Sequence, residues 1–333
     1  MERPVISVVT TAYNAARHIS DFLREMTAVL DRIEAPSEIV VVEDGSRDDT
    51  VALIEAELAR YPTLRLVRLS RNFGQEPAIF AGLRQARGDF VFLIDSDLEE
   101  PPATLIDMME RMRTEAPTVD VVYGVQRQRS GTLQHTFFGP LFRGLFRSLT
   151  DIDIPSNILV VRLMTRRYVD AVLLHDERTL ALAGIFHLAG FRQLPLLIDK
   201  TYKGYSSYSF MKRLRVAIRY LIIFSNRPAF LITSAGFGFA FIAFLYSIFI
   251  VVAYLAFGSP VVGWASLAVL ITFFSGLLLM SVGVCAAYLA FIFQEVKKRP
   301  LAIVQEIRSA GGDDARPPLP AIRDAARPPE ETS

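Results

Sequence analysis

The stretch Phe90-Val-Phe-Leu-Ile-Asp-Ser-Asp-Leu-Glu99 joins an uncharged apolar run to a cluster of acids. Residues 90–94 carry no charge, which predicts a buried strand. Because side chains alternate along a strand, we expect Asp95 and Asp97 on one face, with Glu99 in reach beyond them. Ligands of open α/β sheets bind at the carboxyl ends of the strands, and carboxylate oxygens suit Mg²⁺ or Mn²⁺. The stretch therefore predicts a divalent metal site; the alternative is an acidic loop that starts the next helix.

Strand and helix signals alternate around this stretch. Further β-rich runs lie at 5–10, 38–43, 64–69 and 119–123. The stretches that separate the first four strands are helical in spacing, at about 16–30, 49–60 and 75–86. Strands that alternate with helices predict a parallel, doubly wound α/β sheet.

A long segment without charge follows the α/β part of the chain. No Asp, Glu, Lys or Arg occurs from Pro228 to Gln294, although charged residues make up 21% of the 333 residues. A membrane-spanning helix needs about 20 apolar residues, so the segment predicts two, at about 229–257 and 264–293, joined by a turn at 258–263. Positive charges flank both outer ends and none lies in the turn, so we expect both termini in the cytosol.

The remaining domain boundaries follow from charge and composition. Residues 1–206 are expected to form a cytosolic domain. Residues 207–227 mix Lys and Arg with apolar side chains, which predicts an amphipathic helix at the bilayer interface. Residues 133–149 have a similar character, and either pack into the core or lie at the bilayer surface. The tail, 295–333, is rich in proline, glycine and charge after Ser309 and is predicted to be cytosolic and largely disordered.

Net charge and cysteine content restrict the partners and the compartment. The formal net charge is +1, and the sequence has no basic face interleaved with aromatic residues, so we expect no nucleic-acid partner. The single cysteine, Cys285, lies inside the apolar segment. A disulfide framework is therefore excluded, and a reducing compartment is expected for the rest of the chain.

Six short segments, taken in order, carry a resemblance to a known family. They are Val9-Thr-Thr-Ala-Tyr-Asn14, Val41-Val-Glu-Asp-Gly-Ser-Arg-Asp-Asp-Thr50, Ser70-Arg-Asn-Phe-Gly-Gln75, Asp95-Ser-Asp-Leu-Glu-Glu-Pro-Pro102, Tyr123-Gly-Val-Gln-Arg127 with Arg129, and Arg162-Leu-Met164. Their order and spacing resemble the family-two glycosyltransferases, whose A-type domain is a Rossmann-like nucleotide-sugar-binding fold. The likeness is to the polyprenyl-phosphate branch, which includes dolichyl-phosphate mannose synthase and the bacterial enzymes that glycosylate undecaprenyl phosphate. It covers nearly the whole chain, including the apolar hairpin.

The resemblance implies a nucleotide-binding role for residues at the ends of the first two strands. Asp44 would accept a hydrogen bond from the nucleotide base, and Thr11, Tyr13 and Asn14 would line the same base and ribose pocket. The alternative role for Asp44 is that of an Asp-Gly turn. We therefore expect these four residues, together with Asp95, to bind the nucleotide.

The resemblance also implies a metal site and an anion site. Asp95 and Asp97 correspond to the metal-binding pair of the family, and Glu99 stands where a third ligand is found. Arg127 and Arg129 would bind phosphate oxygens, for which the guanidinium fork is suited; the alternative is a pair of solvated surface arginines. The expected catalytic residues are then Asp97 and the two arginines, with Mg²⁺ or Mn²⁺ as cofactor.

The acceptor segment departs from the family. Relatives commonly carry Asp-Thr-Gly-Asp-Phe-Arg-Leu-Met there, and the two acidic positions fall on Asn157 and Val160 in this chain. Either Asp151 or Asp153 supplies a base instead, or no protein base is needed. We favour the second hypothesis, because a phosphate monoester has a second pKa of about 6 and needs positioning rather than deprotonation.

Together these features predict a membrane-anchored inverting glycosyltransferase. It would move a sugar from a nucleotide diphosphate donor to polyprenyl phosphate, with undecaprenyl phosphate as the expected acceptor, at the cytosolic face of the membrane. The protein is expected to be a multi-pass protein of the inner membrane. Arg143 and Lys203 are the candidates for binding the lipid phosphate, and relatives suggest a homo-oligomer among membrane lipids. The alternatives are a single-addition transferase with a hydroxyl acceptor and a non-catalytic membrane scaffold. The sequence does not identify the sugar or the nucleotide.

Overall fold

The structure, a computed structural model, describes residues 4–127, 157–175, 182–199, 227–257, 263–310 and 312–314. Its strands are β1 (Ile6–Ala12), β2 (Ser37–Glu43), β3 (Leu64–Leu69), β4 (Phe90–Leu93), β5 (Val121–Gln126), β6 (Ile158–Thr165), β7 (Gln193–Ile198), β8 (Val304–Ser309) and β9 (Gly312–Asp314). Its helices are α1 (Ile19–Ile33), α2 (Thr50–Leu58), α3 (Gln75–Gln85), α4 (Thr104–Glu115), α5 (Arg166–Leu173), α6 (Leu182–Leu188), α7 (Arg227–Phe257) and α8 (Trp264–Val296). All nine strands join one sheet in the order β7-β5-β6-β4-β1-β2-β3-β8-β9.

Strand direction places the ends of five strands together. β1 pairs in parallel with β2 and β4, and β2 pairs in parallel with β3. β6 is antiparallel to both β4 and β5, so β5 runs in the same direction as β4. We call the side of the sheet where β1 to β5 end the carboxyl edge. The predicted doubly wound α/β fold is confirmed, with antiparallel additions that the alternation of strands and helices did not reveal.

The central strands are buried on both faces, which explains their nearly continuous apolar sequences. On one face, α1 covers the sheet with a stripe of side chains spaced by three and four residues, the period of a helix: Ile19, Phe22, Leu23, Met26, Val29 and Leu30. On the other face, α3 buries every residue of its segment from Ala78 to Leu83. Gly82 permits this close packing, because a Cβ there would lie 2.5 Å from Val9 Cγ1.

The end of the chain returns to the sheet. β8 pairs antiparallel with β3, and its Ile307 is 7% exposed and packs in the core. The Ser70 N–H donates to the Ile303 carbonyl at 2.9 Å. The prediction of a largely disordered tail over 295–333 is therefore wrong for residues 304–309. The strand was missed because a six-residue stretch with one buried residue gives too little apolar signal on its own.

Two long helices form in the apolar segment. α7 and α8 match the helices predicted at about 229–257 and 264–293, and the Phe239 ring lies 6.2 Å from the rings of Phe273 and Phe274. Within the part of the chain that the structure describes, the segment Phe273–Val296 is long and apolar enough to cross a membrane, with a mean hydropathy of 2.3 and none of its most apolar window buried. These two helices form one compact unit, while β1 to β9 and α1 to α6 form another.

Candidate active site

The turns after β1 and β2 bind each other at the carboxyl edge. The Asn14 N–H donates to Ser46 Oγ at 3.0 Å, and the Arg47 N–H donates to Asn14 Oδ1 at 3.0 Å. Asn14 has a φ of 51°, a left-handed conformation that asparagine tolerates better than most residues. Tyr13 is 47% exposed, and Thr11 is half-buried at the end of β1. The predicted pocket residues of the first strand therefore lie together, beside the turn that follows Asp44.

Asp48 and Thr50 complete this junction, and sequence analysis did not single them out. The Ala15 N–H donates to Thr50 Oγ1 at 2.8 Å, and the Ala16 N–H donates to Asp48 Oδ2 at 3.2 Å. Burial raises the pKa of Asp48, but the hydrogen bonds from Thr50 and Ala16 outweigh it, so its pKa lies below the ordinary value. The signal was present as Asp-Asp-Thr, a pattern that caps helices, but its contact with the β1–α1 turn is tertiary.

Asp44 lies directly after β2 and is 3% exposed. Its Oδ1 accepts the Phe73 N–H at 2.7 Å, and its Oδ2 accepts the Gly74 N–H at 2.9 Å. Burial raises the pKa of Asp44, with Glu43 adding to the rise, although the two main-chain hydrogen bonds oppose it. Asp44 therefore anchors the loop between β3 and α3. A carboxylate has about four lone-pair sites, so each oxygen keeps capacity for a further donor, such as a nucleotide base.

Gly45 brings the β2–α2 turn against the β3–α3 loop. Its φ is +69°, and a Cβ at this position would lie 2.4 Å from Asn72 N and 2.6 Å from the Arg71 carbonyl carbon. Both neighbours are main-chain atoms, which cannot move aside as a flexible side chain can. Glycine is therefore required here both by backbone conformation and by contact.

The acidic stretch forms a turn rather than a continuation of the strand. β4 ends at Leu93, and Leu98 has a φ of 59°. Asp95 Oδ1 accepts a hydrogen bond from Gln75 Nε2 at 2.9 Å, and Asp97 Oδ1 accepts the Glu99 N–H at 2.9 Å. The Ile94 N–H still donates to the Val9 carbonyl at 3.1 Å, but the regular strand ends at Leu93. Strand alternation therefore no longer supports the expectation that the two aspartates share one face, and that expectation stays a prediction.

The same turn connects to the first strand. Ser96, which is 6% exposed, donates from Oγ to the Thr11 carbonyl at 2.9 Å. This bond fixes the acidic turn beside the β1–α1 junction. The carboxyl edge thus brings together Thr11, Asn14, Asp44 and Asp95 through contacts between their own turns and loops.

The acidic side chains of this turn suit a divalent cation only as part of an open site, in which the protein does not supply all the ligands. Among the residues that the structure describes, no group of three or more His, Cys, Asp or Glu side chains is arranged to hold a metal ion. The three-ligand set of Asp95, Asp97 and Glu99 therefore does not form a closed cage, although all three side chains are half-buried. Mg²⁺ is commonly bound through one or two carboxylates, several waters and substrate phosphates. Asp95 and Asp97 fit that kind of site.

The phosphate-binding and acceptor candidates lie partly within the described residues. Arg127 follows β5 at the carboxyl edge, where its Nε lies 3.2 Å from Asp199 Oδ1; both side chains are exposed. Asn157 Nδ2 donates to the Gln126 carbonyl at 3.0 Å, so this side chain holds β5 to the start of β6. Val160 is half-buried. The remaining candidates lie outside the described residues: Arg129, Arg143, Asp151, Asp153 and Lys203.

A buried cation lies behind the acceptor segment. Arg162 is 4% exposed, stacks on the Phe186 ring at 3.6 Å, and donates from Nε to the Val160 carbonyl at 3.0 Å. Burial lowers the pKa of Arg162 to about 10 and raises that of Tyr168 to about 12. The Tyr168 hydroxyl donates to the Phe186 carbonyl at 2.7 Å. The motif Arg162-Leu-Met is therefore a packing element of the fold, and the resemblance located it without revealing this role.

A cavity of about 1020 Å³ lies at the opposite edge of the sheet. Its lining includes Phe90 at the start of β4, Val119 before β5 and Met109 on α4. It contains none of the predicted site residues. We therefore place the candidate active site at the carboxyl edge, where polar side chains from several turns meet, rather than in this largely apolar cavity.

Comparison with known proteins identifies the family. The model of "Glycosyl transferase family 2" matches residues 7–173. A glycosyltransferase of Mycobacterium tuberculosis is 34% identical over 302 residues, which cover 91% of this chain and 88% of the relative. The SfII prophage-derived bactoprenol glucosyl transferase of Shigella flexneri is 32% identical over 305 residues, which cover 90% of this chain and 97% of the relative. The bactoprenol glucosyl transferase of Shigella phage SfV is also 32% identical, over 304 residues and 98% of its length.

One solved structure aligns with a similar share of this chain, but at a lower sequence identity. The mannosyltransferase of Pyrobaculum calidifontis in complex with GDP-Man and Mn²⁺ is 19% identical, with a TM-score of 0.43 over 90% of this chain and 87% of that one. A similarity at this sequence identity and TM-score does not identify the donor or the metal ion of the present protein. The predicted resemblance to family-two enzymes of the polyprenyl-phosphate branch is confirmed by the curated relatives, and this chain belongs to glycosyltransferase family 2.

Proposed function

We propose that the protein transfers a sugar, with inversion, from a nucleotide diphosphate sugar to polyprenyl phosphate, with undecaprenyl phosphate as the acceptor to test first. One observation supports this above the others: relatives named bactoprenol glucosyl transferase align along 90% of the chain, which includes the segment of α7 and α8 as well as the α/β domain. An acceptor shared with those relatives explains why a glycosyltransferase domain is joined to long apolar helices.

Donor binding is assigned to the carboxyl edge. Asp44, beside the Phe73–Gly74 main chain that it anchors, would accept a hydrogen bond from the base. Asn14 and the exposed Tyr13 would contact the base or ribose, and Thr11 would complete the wall. The Gln75 side chain donates a hydrogen bond to the Asp95 carboxylate and so orients it at this pocket. An oriented carboxylate is better placed to contact the nucleotide than one that rotates freely in solvent.

A divalent cation would be held by Asp95 and Asp97, with donor phosphates and water as the remaining ligands. When bound, it would supply positive charge to the departing diphosphate, which carries the negative charge that develops as the sugar–phosphate bond breaks. The Glu99 N–H donates to Asp97 Oδ1 at 2.9 Å, which orients the Asp97 carboxylate within the turn. Arg127 lies at the same edge and is suited to bind a phosphate oxygen in exchange for its exposed contact with Asp199.

The transfer itself needs an oriented acceptor. An oxygen of the lipid phosphate attacks the anomeric carbon, the bond from that carbon to the donor diphosphate breaks, and the nucleoside diphosphate leaves from the opposite side. One such displacement inverts the anomeric configuration. The acceptor phosphate is largely ionised at neutral pH because its second pKa is about 6. This agrees with Asn157 and Val160 at the acidic positions of relatives, since Asn157 binds the Gln126 carbonyl and neither residue is a base.

We further propose that α7 and α8 form a membrane hairpin and that the α/β domain and both termini lie in the cytosol. Both helices are longer than the roughly 20 residues that span a bilayer. Positive charge lies at the first residue of α7, Arg227, and follows α8 at Lys297, Lys298 and Arg299. By the positive-inside rule, this distribution of charge favours a cytosolic location for both ends of the hairpin.

A nucleotide-release assay on the detergent-purified protein tests the proposal. UDP-, GDP- and dTDP-sugars would be supplied with Mg²⁺ or Mn²⁺, with and without undecaprenyl phosphate. We expect release that requires both cation and lipid phosphate and that falls about 10²- to 10³-fold in Asp97→Asn, the scale of losing a charge-stabilising group. Asp107→Asn, an exposed acid on α4, is the matched control and should retain activity.

Two results would contradict the proposal. Release that is independent of lipid phosphate but increases with a lipid-linked saccharide would support the hydroxyl-acceptor alternative and require a base. No release with any donor, while Asp97→Asn and the parent protein behave alike, would support the scaffold alternative.

A further inference from the structure

Three charged side chains lie side by side on neighbouring strands near the carboxyl edge. The strand register pairs Glu43 of β2 with Arg68 of β3, and Arg68 with Glu306 of β8. Arg68 NH1 lies 3.1 Å from Glu306 Oε1, and Arg68 Nε lies 3.8 Å from Glu43 Oε2. Cross-strand neighbours of opposite charge attract each other, and here a single cation stands between two acids.

The inner end of this row is in contact with the candidate donor site. The Glu43 side chain is 1% exposed, and its Oε1 accepts the Ser46 N–H. Ser46 Oγ in turn accepts the Asn14 N–H at 3.0 Å. Asp44 lies between Glu43 and this turn in the chain. The contacts therefore run without a break from Glu306 to Asn14, and the row ends next to Asp44 in the chain; we assign nucleotide binding to both residues.

The outer end of the row belongs to the strand that sequence analysis assigned to a disordered tail. Burial acts to raise the pKa of Glu306, but the hydrogen bonds from Arg308 and Arg68 outweigh it and lower that pKa. Arg308 NH1 also contacts Glu55 Oε1 on α2 at 2.7 Å. β8 thus contacts the domain through the ion pair of Glu306 with Arg68 and through that of Arg308 with Glu55. Arg308 NH2 also lies 2.9 Å from Glu306 Oε2, but the contact with Arg68 is the one that leads to Glu43.

We propose that Glu306 is a positioning residue for the nucleotide-sugar site: the charged row from Glu306 through Arg68 to Glu43 holds the Asp44–Ser46 turn in its donor-binding conformation. This rests on the proposed function, because the turn matters to turnover only if it binds the donor.

The physical reason lies in the adjacent carboxylates of Glu43 and Asp44. Both are buried at the end of β2, and the charge of Glu43 contributes to raising the pKa of Asp44. Arg68 supplies the compensating charge to Glu43, but its side chain is long, 35% exposed and costly in entropy to hold in one position. Glu306 binds NH1 and keeps Nε directed at Glu43. Without Glu306, the guanidinium regains freedom and the turn loses its fixed counter-charge.

Steady-state kinetics of the full-length protein in detergent with its preferred nucleotide sugar test the proposal. We expect Glu306→Gln to raise the KM for the donor about two- to fivefold, the upper range of a partly exposed ion pair. The kcat and the KM for undecaprenyl phosphate should change less than about twofold. Glu55→Gln is the matched control, because it removes the other ion pair of β8 without touching Arg68, and it should leave the donor KM unchanged.

A double-mutant cycle and hydrogen exchange separate positioning from general destabilisation. In an Arg68→Met background, Glu306→Gln should raise the donor KM by less than about twofold, since its effect is transmitted by Arg68. Amide exchange of residues 43–47 should be faster in Glu306→Gln and unchanged in Glu55→Gln. Equal effects of Glu306→Gln and Glu55→Gln on the donor KM and on exchange, or an undiminished effect in the Arg68→Met background, would overturn the proposal. If the parent protein turns over no nucleotide sugar, the proposed function fails, and the exchange of residues 43–47 alone decides whether the row holds the turn.

Discussion

Asp44 and Gly45 are neighbours at the end of β2, and they constrain the loop after β3 in different ways. Asp44 binds two main-chain N–H groups of that loop, whereas Gly45 lies so close to residues 71 and 72 that a side chain has no room. The resemblance predicts that Asp44 binds the nucleotide base. The two hydrogen bonds to the loop were not predictable, because they join residues 29 and 30 positions apart and depend on how β2 and β3 pair.

Replacement of Gly45 by Ala should lower the free energy of unfolding of the protein. The φ of +69° costs an L-residue about 1–2 kcal/mol, and the main-chain clash with Asn72 adds to it, so we expect a loss of about 2–4 kcal/mol. Thermal unfolding in detergent measures the change. Gly190→Ala is the control, because its φ is +75° while the nearest atom to a new Cβ is 3.7 Å away. Equal melting temperatures for the two variants would contradict the role assigned to the close contact.

Arg162 offers a second test at this scale. Its guanidinium stacks on Phe186 and donates to two carbonyls, a geometry that the ammonium of lysine cannot reproduce. We expect Arg162→Lys to lower the free energy of unfolding by about 1–3 kcal/mol, because planar stacking and a buried donor are lost. Arg24→Lys, on the exposed face of α1, should change it by less than about 0.5 kcal/mol. A fully stable Arg162→Lys protein would show that charge alone is sufficient at this position.

Among the elements, the strands and helices of the α/β domain followed closely from the sequence, and β8 did not. Uncharged runs such as 38–43 and the helical spacing of α1 carry strong periodic signals. β4 ends at Leu93, one residue earlier than predicted. The faces of Asp95 and Asp97 therefore cannot be inferred from the alternation of side chains along a strand. β8 is held by pairing with β3, by one buried isoleucine and by ion pairs, none of which a short segment reveals by itself.

Truncation after Arg299 should therefore destabilise the α/β domain. It removes β8, exposes the edge of β3 and removes Ile307 from the core, for which loss of the side chain alone costs about 2–4 kcal/mol. Truncation after Asp314 keeps every described contact of β8 and is the control. The melting temperatures of the two truncated proteins should differ by several degrees; coincident values would show that β8 contributes nothing to stability.

The stability that Glu306 contributes through β8 should depend on pH. Because its folded pKa lies below the ordinary value of 4.5, its contribution to stability is complete above pH 4.5 and is lost as the pH falls through the folded pKa. We expect the melting temperature of Glu306→Gln to lie below that of the parent protein at neutral pH, by an amount corresponding to about 1 kcal/mol. The difference should shrink as the pH falls below 4.5. A difference that is constant from pH 7 to pH 3 would contradict the ion pairs seen here.

For the whole molecule, absence of charge was the most informative feature of the sequence. The uncharged segment from Pro228 to Gln294 predicted two helices, and both α7 and α8 begin and end within a few residues of the expected positions. The return of the chain to the sheet after α8 was not predictable, because it requires the partner strand β3. As a result, the α/β unit is built from segments on both sides of the apolar helices.

The proposed hairpin makes a prediction about topology. With both ends of the hairpin in the cytosol, a tag at the C-terminus should resist protease in intact spheroplasts and be cleaved once the membrane is permeabilised. A tag placed in the turn between α7 and α8 is the control and should be cleaved in intact spheroplasts. Cleavage of the C-terminal tag without permeabilisation would place the C-terminus outside the cytosol and contradict the proposed topology.

Identification of the two products tests the central claim most directly. Undecaprenyl phosphate and the preferred nucleotide sugar would be incubated with the purified protein, and the lipid and the released nucleotide would be analysed by mass spectrometry. We expect the lipid to gain the mass of one glycosyl unit while keeping its single phosphate, together with a nucleoside diphosphate in equal amount. A lipid that gains a sugar phosphate, with release of a nucleoside monophosphate, or free sugar with unchanged lipid would contradict glycosyl transfer to a polyprenyl phosphate.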